Sequence, residues 1–571
     1  MSWLAANLAP LMFAALGLFM LTGVPVAFAL AACGMTFGLI GIEMGLLPAE
    51  LFQALPLRIF GIIANETLLA IPFFTFMGLI LQRSGMAEDL LETIGQVFGP
   101  LRGGLAMAVV FVGALLAATT GVVAASVISM GLISLPIMLR NGYNPRIACG
   151  VITASGSLAQ VVPPSLVLIV MADQLGRSVG DMYAGALVPA GMLIVLYAVL
   201  VGLIALIWPR WMPALPKEAR TFREADGQSG HRSLLVLFLI SAVAGWASLK
   251  VYPDLLRSIG RTVAPPADET VMVALAAGVL TAFVLALIDA ALRLHWLSKL
   301  ARRVAFVMIP PLILIFLVLG TIFLGIATPT EGGAMGAVGA LTLAAARRRL
   351  TVRETGQALL STTKLACFVM FVLIGSTVFS LTFQGVDGTL WVEHLFDKLP
   401  GGVTGFLIFV TLLVFLLGFF LDFFEIAFIL LPLLAPIADK LGVDLIWFGV
   451  LVGINLQTSF MTPPFGFALF YLRSVAPAED RVDPESGKTI RRVRTGDIYL
   501  GAMPFVAVQV VVLALIIAFP ALVLGEATVK KKLDRGAIEQ QLFEMDTQAP
   551  ARAKERADPM QQLLDSMERN R

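Results

Sequence analysis

Apolar runs long enough to cross a lipid bilayer recur from about residue 5 to residue 524 of this 571-residue chain. That one feature leaves few folds open. In hydrocarbon no water hydrogen-bonds a free N–H or C=O, so a spanning segment satisfies its backbone internally, as a helix or within a closed barrel. The runs reach the roughly 18 to 20 residues of a spanning helix, not the roughly ten of a barrel strand. The fold class that follows is an all-α polytopic membrane protein. Candidate crossings cover about 5–22, 23–42, 60–82, 146–173, 182–208, 232–249, 270–293, 303–325, 327–346, 363–384, 446–473 and 498–524. Two further regions, 104–139 and 403–438, are too long for one crossing. Thr119-Thr120-Gly121 and Asp422-Phe423-Phe424-Glu425 interrupt them near the middle, so each reads as two crossings or one re-entrant hairpin. Segments 85–103 and 347–362 read as amphipathic helices on the lipid surface, and the charged tail 526–571 as extramembrane. The first apolar run lacks a basic leader and a small-residue cleavage site, so it is expected to be the first span.

Charge and composition exclude other classes. Only 14% of residues are charged, against about 25% in soluble domains. A net charge of +2 supplies no basic field for nucleic acid. Cys33, Cys149 and Cys367 lie too far apart for a paired framework, and His231, His295 and His394 sit at segment edges, so no transition-metal site is expected. No Walker motif and no nucleophile–base pair stands out; the chain is not expected to hydrolyse ATP or to be an enzyme.

An internal repeat organises the apolar segments. Pro136-Ile137, Gly142 and Pro163-Pro164 match Pro436-Ile437, Gly442 and Pro463-Pro464 at one offset of 300 residues without a gap. After a sixteen-residue insertion the match continues, GDMYAGA (180–186) against GDIYLGA (496–502). Gly23-Val24-Pro25 pairs less closely with Thr328-Pro329, at offset 304. The loops 209–232, 292–303, 347–364 and 473–496 carry twenty Lys and Arg between them, whereas 174–181, 250–269 and 385–402 carry five. With the basic loops inside, the span through the first Pro-Pro pair runs outward and its partner runs inward. Both long apolar regions must then be re-entrant hairpins. The expected domains are a first inverted repeat, 1–210 (hairpin 104–139, broken helix 146–173), and linking spans with a cytoplasmic loop, 211–300. A second repeat follows, 301–525 (hairpin 403–438, broken helix 446–473), then the tail 526–571, which parity places outside.

Inverted repeats with interrupted spans are the architecture of secondary transporters, in which broken helices free backbone groups for ions at mid-membrane. Ser155, Gly156, Ser157 and Gln160 precede Pro163-Pro164; Asn455, Gln457, Thr458 and Thr462 precede Pro463-Pro464. Prolines remove backbone donors and bar a regular helix. The tips supply the rest: Thr119, Thr120 and Gly121 are small and polar, and Asp422, with Glu425 near it, is a carboxylate inside an apolar run, where function is the first hypothesis. Hydroxyl, amide and carboxylate oxygens are hard ligands suited to Na⁺. The expected Na⁺ ligands are Thr119, Thr120, Gly121, Ser155, Gly156, Ser157, Asp422, Asn455, Gln457 and Thr458. The expected substrate contacts are Ser157, Gln160, Pro163, Pro164, Thr462, Pro463 and Pro464. Asp173 and Arg473, which end the broken spans, read as interfacial residues. Glu331 reads as a first-turn cap, and Gly332, Gly333, Gly336 and Gly339 as packing positions.

At LLAIPFF (68–74), RGGLA (102–106), the segment after VVPPS with Gly180-Asp181, GIATPTE (325–331) and Asn455 through TPPFG (462–466), the chain resembles the large permease subunit of tripartite ATP-independent periplasmic (TRAP) transporters. The resemblance covers about residues 20–510, and NLQTSFMTPPFGFALFYLRSVAP resembles a branch labelled mannitol/chloroaromatic. It implies an elevator-type fold of the ion-transporter superfamily, with a scaffold and a transport domain holding two hairpins and two broken helices. It further implies Na⁺ coupling, a small four-span membrane subunit and a periplasmic substrate-binding protein that delivers a small organic anion, usually a carboxylate. The family's first tip usually reads Gly-Ser-x-x-Ala-Asp; here Thr120-Gly121-Val122-Val123-Ala124-Ala125 lacks the acid. The extra pair of spans, the insertion at 475–495 and the tail exceed what a minimal member needs. The expected function is Na⁺-driven uptake of an organic acid across the bacterial inner membrane by an elevator motion. The alternatives are a self-sufficient Na⁺/anion symporter of the same fold and a membrane-embedded scaffold or enzyme partner.

Overall fold

Helices in this chain end where the sequence supplies glycine, proline or a capping side chain. Gly103 and Gly121 take left-handed φ of 76° and 61° at the two ends of the Gly104–Thr120 helix, a conformation open to glycine at little cost. Asn144 caps Pro145–Ser157 by accepting the Arg146 N–H, with proline at the first position. Thr328 and Glu331 form a capping box at the start of Pro329–Ala346, so the cap expected of Glu331 is present. The computed structural model describes residues 3–4, 7–216, 222, 230–258, 265, 267–397, 400–482, 487 and 489–525. Among them all regular structure is helical except a short ribbon, Arg481–Val482 antiparallel to Thr489–Ile490, within the 475–495 insertion. The tail 526–571 lies outside the described residues.

Among the described residues, eight helices are long and apolar enough to cross a membrane, or nine if Leu51–Ile63 and Glu66–Arg83, bent by 49°, count as one span. Twelve candidates were expected; Val123–Arg140, counted among the eight, comes instead from the expected hairpin 104–139, and Pro329–Ala346, with its Glu331 and many glycines, is not apolar enough to count. The segments 146–173 and 446–473 are each split into two short helices, Pro145–Ser157 with Leu166–Gln174, and Leu445–Met461 with Phe467–Val475. The first segment forms only the 14-residue helix Leu8–Leu21. One expectation is overturned: 347–362 holds no separate surface helix. A Thr351–Glu354 capping box starts a continuous helix, Val352–Gly385, with no proline to stop it. Its 34 residues span about 51 Å at 1.5 Å each, well beyond a hydrocarbon core of about 30 Å.

Glycines decide which helices touch. A Cβ on Gly34 would meet the backbone of Val378 and Phe379, and one on Gly375 the backbone of Ala27, so Val26–Glu43 lies along Val352–Gly385. Gly333 abuts Phe73 and Phe74, and Gly336 abuts Met77, so Pro329–Ala346 lies along Ala70–Arg83. The second pairing repeats the first with the halves exchanged. Gly150 and Gly501 bring Pro145–Ser157 and Thr495–Ala518 into backbone contact, where the Arg146 Nε–Asp497 Oδ1 ion pair (3.2 Å) flanks the crossing. The linking helices His231–Ser258 and Ala267–Leu292 cross at Gly245 and Gly278 and are otherwise largely exposed. The amphipathic segment expected at 85–103 is the helix Met86–Phe98. Arg303, Arg347 and Arg349 converge on its Asp89, at 3.5, 3.1 and 3.1 Å.

Gly150→Val forces two backbones apart, so it is expected to destabilise by the upper end of overpacking, about 3 kcal/mol. Gly202→Ala, at a position with nothing within 4 Å, is the control and is expected to be neutral or slightly stabilising. Thermal unfolding of the detergent-solubilised protein checks both, and equal melting temperatures would sink the contact.

Candidate ion and substrate site

Each break is a gap in a spanning helix whose freed carbonyls need donors. In the first, Pro163-Pro164 is a cis peptide, and so is Pro463-Pro464 in the second. The Ser165 hydroxyl donates to the Gln160 carbonyl at 2.7 Å and accepts the Val167 N–H at 3.2 Å, capping Leu166–Gln174. The Tyr183 hydroxyl donates to the Ser165 carbonyl at 3.4 Å, and the Tyr499 hydroxyl to the Pro464 carbonyl at 3.0 Å. These tyrosines hold the same place in the two GDxYxGA motifs, so the motif carries the donor that serves its own break. The motif was legible as a repeat, but its tyrosine's task was not.

Each tip lies against the break of its own half. Gly121 abuts Leu166, Gly113 abuts Ser155, and Gly156 abuts Val127. In the other half, Asn455 donates to the Thr411 carbonyl at 2.7 Å and Ser459 to the Phe415 carbonyl at 2.8 Å, while the Phe420 and Phe465 rings lie 5.5 Å apart. The two breaks differ in cover: Pro163 and Pro164 are buried, whereas Pro464 and Phe465 are exposed. They differ also in chemistry, because the counterpart of buried Gln160 is Phe460.

The two broken spans meet where Ser157 and Gln457 touch. Gln457 Nε2 donates to Ser157 Oγ at 3.1 Å, and these residues are 300 apart, the same position in each half. Tyr197 and Gln509 close the cluster; Gln509 Nε2 donates to Tyr197 Oη at 2.8 Å and Gln457 Nε2 reaches it at 3.5 Å. Met461 Sδ fills the remaining side, 3.2 Å from Ser157 Oγ. All five residues are fully buried. Tyr197, Met461 and Gln509 were missed by sequence reasoning, although Gln509 stands alone in FVAVQVVVLAL, a polar residue at membrane depth of the kind that marks function.

The expected ligands divide into two groups. Thr119 and Thr120 donate to the Leu116 carbonyl, Thr458 to Ile454 and Thr462 to Thr458, so these protons are spent within their helices, although the hydroxyl oxygens keep lone pairs. Asp422 makes its hydrogen bonds in its own turn. It accepts the Phe423 N–H at 2.7 Å, while Glu425 accepts the Asp422 N–H at 2.9 Å, a capping box that gives both carboxylates a structural task. By contrast Ser155 Oγ, both amide atoms of Gln160, and the amide oxygens of Asn455, Gln457 and Gln509 are buried with no partner. An unpartnered buried polar atom costs about 1–3 kcal/mol; five of these lie on the two breaks, and others, Gln82 Oε1 and the Thr93 and Thr362 hydroxyls among them, lie elsewhere. Asp173 and Arg473, the residues that end the broken spans, are both tied to protein: Asp173 accepts from Asn65 at 2.7 Å, and Arg473 donates to the Val493 carbonyl at 2.7 Å.

Charge is arranged to suit both signs. The first halves of the broken spans end at Ser157 and Met461, presenting carbonyls, while the second halves begin at Leu166 and Phe467, presenting N–H groups. Carbonyl ends favour cations and N–H ends favour anions. Among the described residues no Lys or Arg is fully buried, and no cluster of His, Cys, Asp and Glu suits a metal ion.

Comparison with known proteins agrees with this architecture. The C4-dicarboxylate TRAP transporter large permease protein DctM of Pseudomonas aeruginosa is 26% identical over 480 residues, covering 83% of this chain and 89% of that protein. The isethionate TRAP transporter permease protein DctMQ of Oleidesulfovibrio alaskensis is 24% identical, covering 82% of this chain and 61% of that longer protein. The 2,3-diketo-L-gulonate TRAP transporter large permease protein YiaN of Escherichia coli is 22% identical, covering 88% and 95%. The family model described as tripartite ATP-independent periplasmic transporter, DctM component, matches residues 13–522. This chain therefore belongs to that family, as a multi-pass large membrane subunit.

Proposed function

We propose that the chain imports a small organic anion across the bacterial inner membrane by Na⁺-coupled secondary transport. An extracytoplasmic binding protein delivers the substrate, and a small four-span membrane subunit completes the complex. The observation that carries this reading is that the two breaks meet at Ser157 and Gln457 and hold buried oxygens without partners, those of Ser155, Gln160, Asn455 and Gln457. Such oxygens attract a hard cation. With no fully buried Lys or Arg among the described residues, the bound cation and the N-terminal amides of Leu166–Gln174 and Phe467–Val475 supply the positive field for a carboxylate. An anion then binds well only after the cation, which is the coupling. The relatives' named substrates, a C4-dicarboxylate, isethionate and 2,3-diketo-L-gulonate, are small organic anions.

Motion follows from the same parts. The exchanged helix pairings support an inverted repeat, in which Val26–Glu43, Pro329–Ala346 and their partners form a scaffold. The tips and broken spans form the body that moves across the membrane with its cargo. The capping box at Asp422 orders the second tip, and an ion at that tip would hold it against the exposed second break.

In proteoliposomes containing this chain with its small subunit and binding protein, an inward Na⁺ gradient is expected to drive accumulation of succinate, the C4-dicarboxylate probe. Replacing Na⁺ by K⁺ is expected to abolish it. Uptake that ignores Na⁺ would remove the coupling, and full uptake by the chain alone would remove the need for partners. Ser155→Ala and Asp422→Ala are each expected to raise the Na⁺ concentration for half-maximal uptake about tenfold, as loss of one hydrogen-bond-strength contact to a charge of about 1.5 kcal/mol would do. An unchanged Na⁺ curve for either variant would strike that residue from the site.

A further inference from the structure

The linking helices His231–Ser258 and Ala267–Leu292 meet Lys299–Phe323 beside two cavities that lie away from both breaks and both tips. We infer that the two cavities together bind an anionic phospholipid, its phosphate in one and an acyl chain in the other. The inference goes beyond the transport reading and does not depend on it.

The first cavity, of about 600 Å³, has His295, Lys299, Arg302 and Arg303 as its polar wall and Phe222, Leu297 and Phe306 as its apolar one. Residues 292–303 hold Arg293, Lys299, Arg302 and Arg303 and no carboxylate. The charge rule puts such a loop at the inner membrane surface, where anionic headgroups gather around basic residues. Carboxylates do approach: Arg302 Nη2 lies 2.7 Å from Asp289, and Arg303 Nη2 lies 3.5 Å from both Asp89 and Glu92. They do not cover the cations, because the Asp289 side chain is fully buried while those of Arg302 and Arg303 stay 35% and 38% exposed. A guanidinium carries five N–H donors. Arg302 gives one to Asp289, so donors remain for a phosphate. The second cavity, of about 630 Å³, is an apolar groove among the three helices, with Phe238, Ala242 and Trp246 on one, Leu275 on the next and Ile309 on the third. Ala305 and Ile309 follow Arg302 by three and seven positions on one face of the same helix, so the groove begins a turn beyond the cations. Between Leu234 and Leu249 its wall runs about 22 Å at 1.5 Å per residue, longer than one leaflet of a hydrocarbon core of about 30 Å. Cations at the membrane surface above an apolar slot of leaflet depth fit a phospholipid with net negative charge. A soluble anion fills only the first cavity, and a zwitterionic lipid gains less from the cations.

The test uses the chain with its small subunit, stripped of lipid in detergent, and reads the melting temperature as lipid is added back. Phosphatidylglycerol is expected to raise it further than phosphatidylcholine of the same acyl chains, and glycerol 3-phosphate is expected to leave it unchanged. Arg303→Gln, which leaves Asp89 paired with Arg347 and Arg349, is expected to raise half-saturating phosphatidylglycerol at least fivefold. Ala242→Trp, which fills the groove, is expected to weaken the response to both lipids. Arg353→Gln removes an exposed cation from another helix at the same surface; it is the control and is expected to follow the wild type. Lys299→Gln, at an exposed position, is expected to shift the curve in the direction of Arg303→Gln, and it decides the question if the other variants do not fold. Equal responses to the two lipids, or an Arg353→Gln shift as large as that of Arg303→Gln, would mean diffuse attraction and end the inference. Wild-type curves for all folded cavity and groove variants would end it too, as would full protection by glycerol 3-phosphate. Release of the small subunit by Ala242→Trp would show that protein, not lipid, covers the groove.

Discussion

The constraint on which the rest depends is the backbone hydrogen bond in a medium without water. A helix interrupted in hydrocarbon leaves N–H and C=O groups that only protein or a ligand can satisfy. This chain interrupts two spans and then surrounds both gaps. Ser165 serves the Gln160 carbonyl, Tyr183 the Ser165 carbonyl and Tyr499 the Pro464 carbonyl. Among the buried polar atoms left without a partner are the Ser155 hydroxyl and the amide oxygens of Gln160, Asn455 and Gln457 at the breaks, with others elsewhere such as Gln82 Oε1.

The two halves are alike in frame and unlike in content. Gly34 with Phe379 and Gly333 with Phe73 and Phe74 build the same close pairing twice. At the breaks, Ser155 faces Asn455 in register and Gln160 faces Phe460. One gap is sealed and polar; the other is open and lined by aromatic rings. The two breaks therefore share a frame and offer unlike chemistry. Close glycine contacts recur at the tips as well, where Gly78 abuts the backbone of Thr119 and Thr120.

Much of this was legible in the sequence for identifiable reasons. The positions of the helices, the doubled Pro-Pro landmarks and the packing glycines after Thr328 are local or periodic signals, and they survive in the structure. The joining of 352–362 to the following span was not legible, because amphipathic character describes a helix's surroundings and not its end. Nor was the capping box at Asp422, since a carboxylate in an apolar run looks the same whether it binds an ion or its own turn. Tyr197 and Gln509 escaped notice as lone polar residues in spans with no visible break.

The sequence by itself determined that the chain lies in the membrane as helices, where two of them break, and that the breaks are related. Those properties follow from hydropathy and from proline's missing donor, which act within a few residues. Only the tertiary structure decided that Ser157 meets Gln457, that Gln509 and Tyr197 join them, and that one break is covered while the other is not. Those contacts bring together residues up to 312 positions apart, and side-chain meetings at that range are set by how helices cross. Gly150 and Gly501 place that crossing for the first broken span, and no local pattern around Ser157 encodes it.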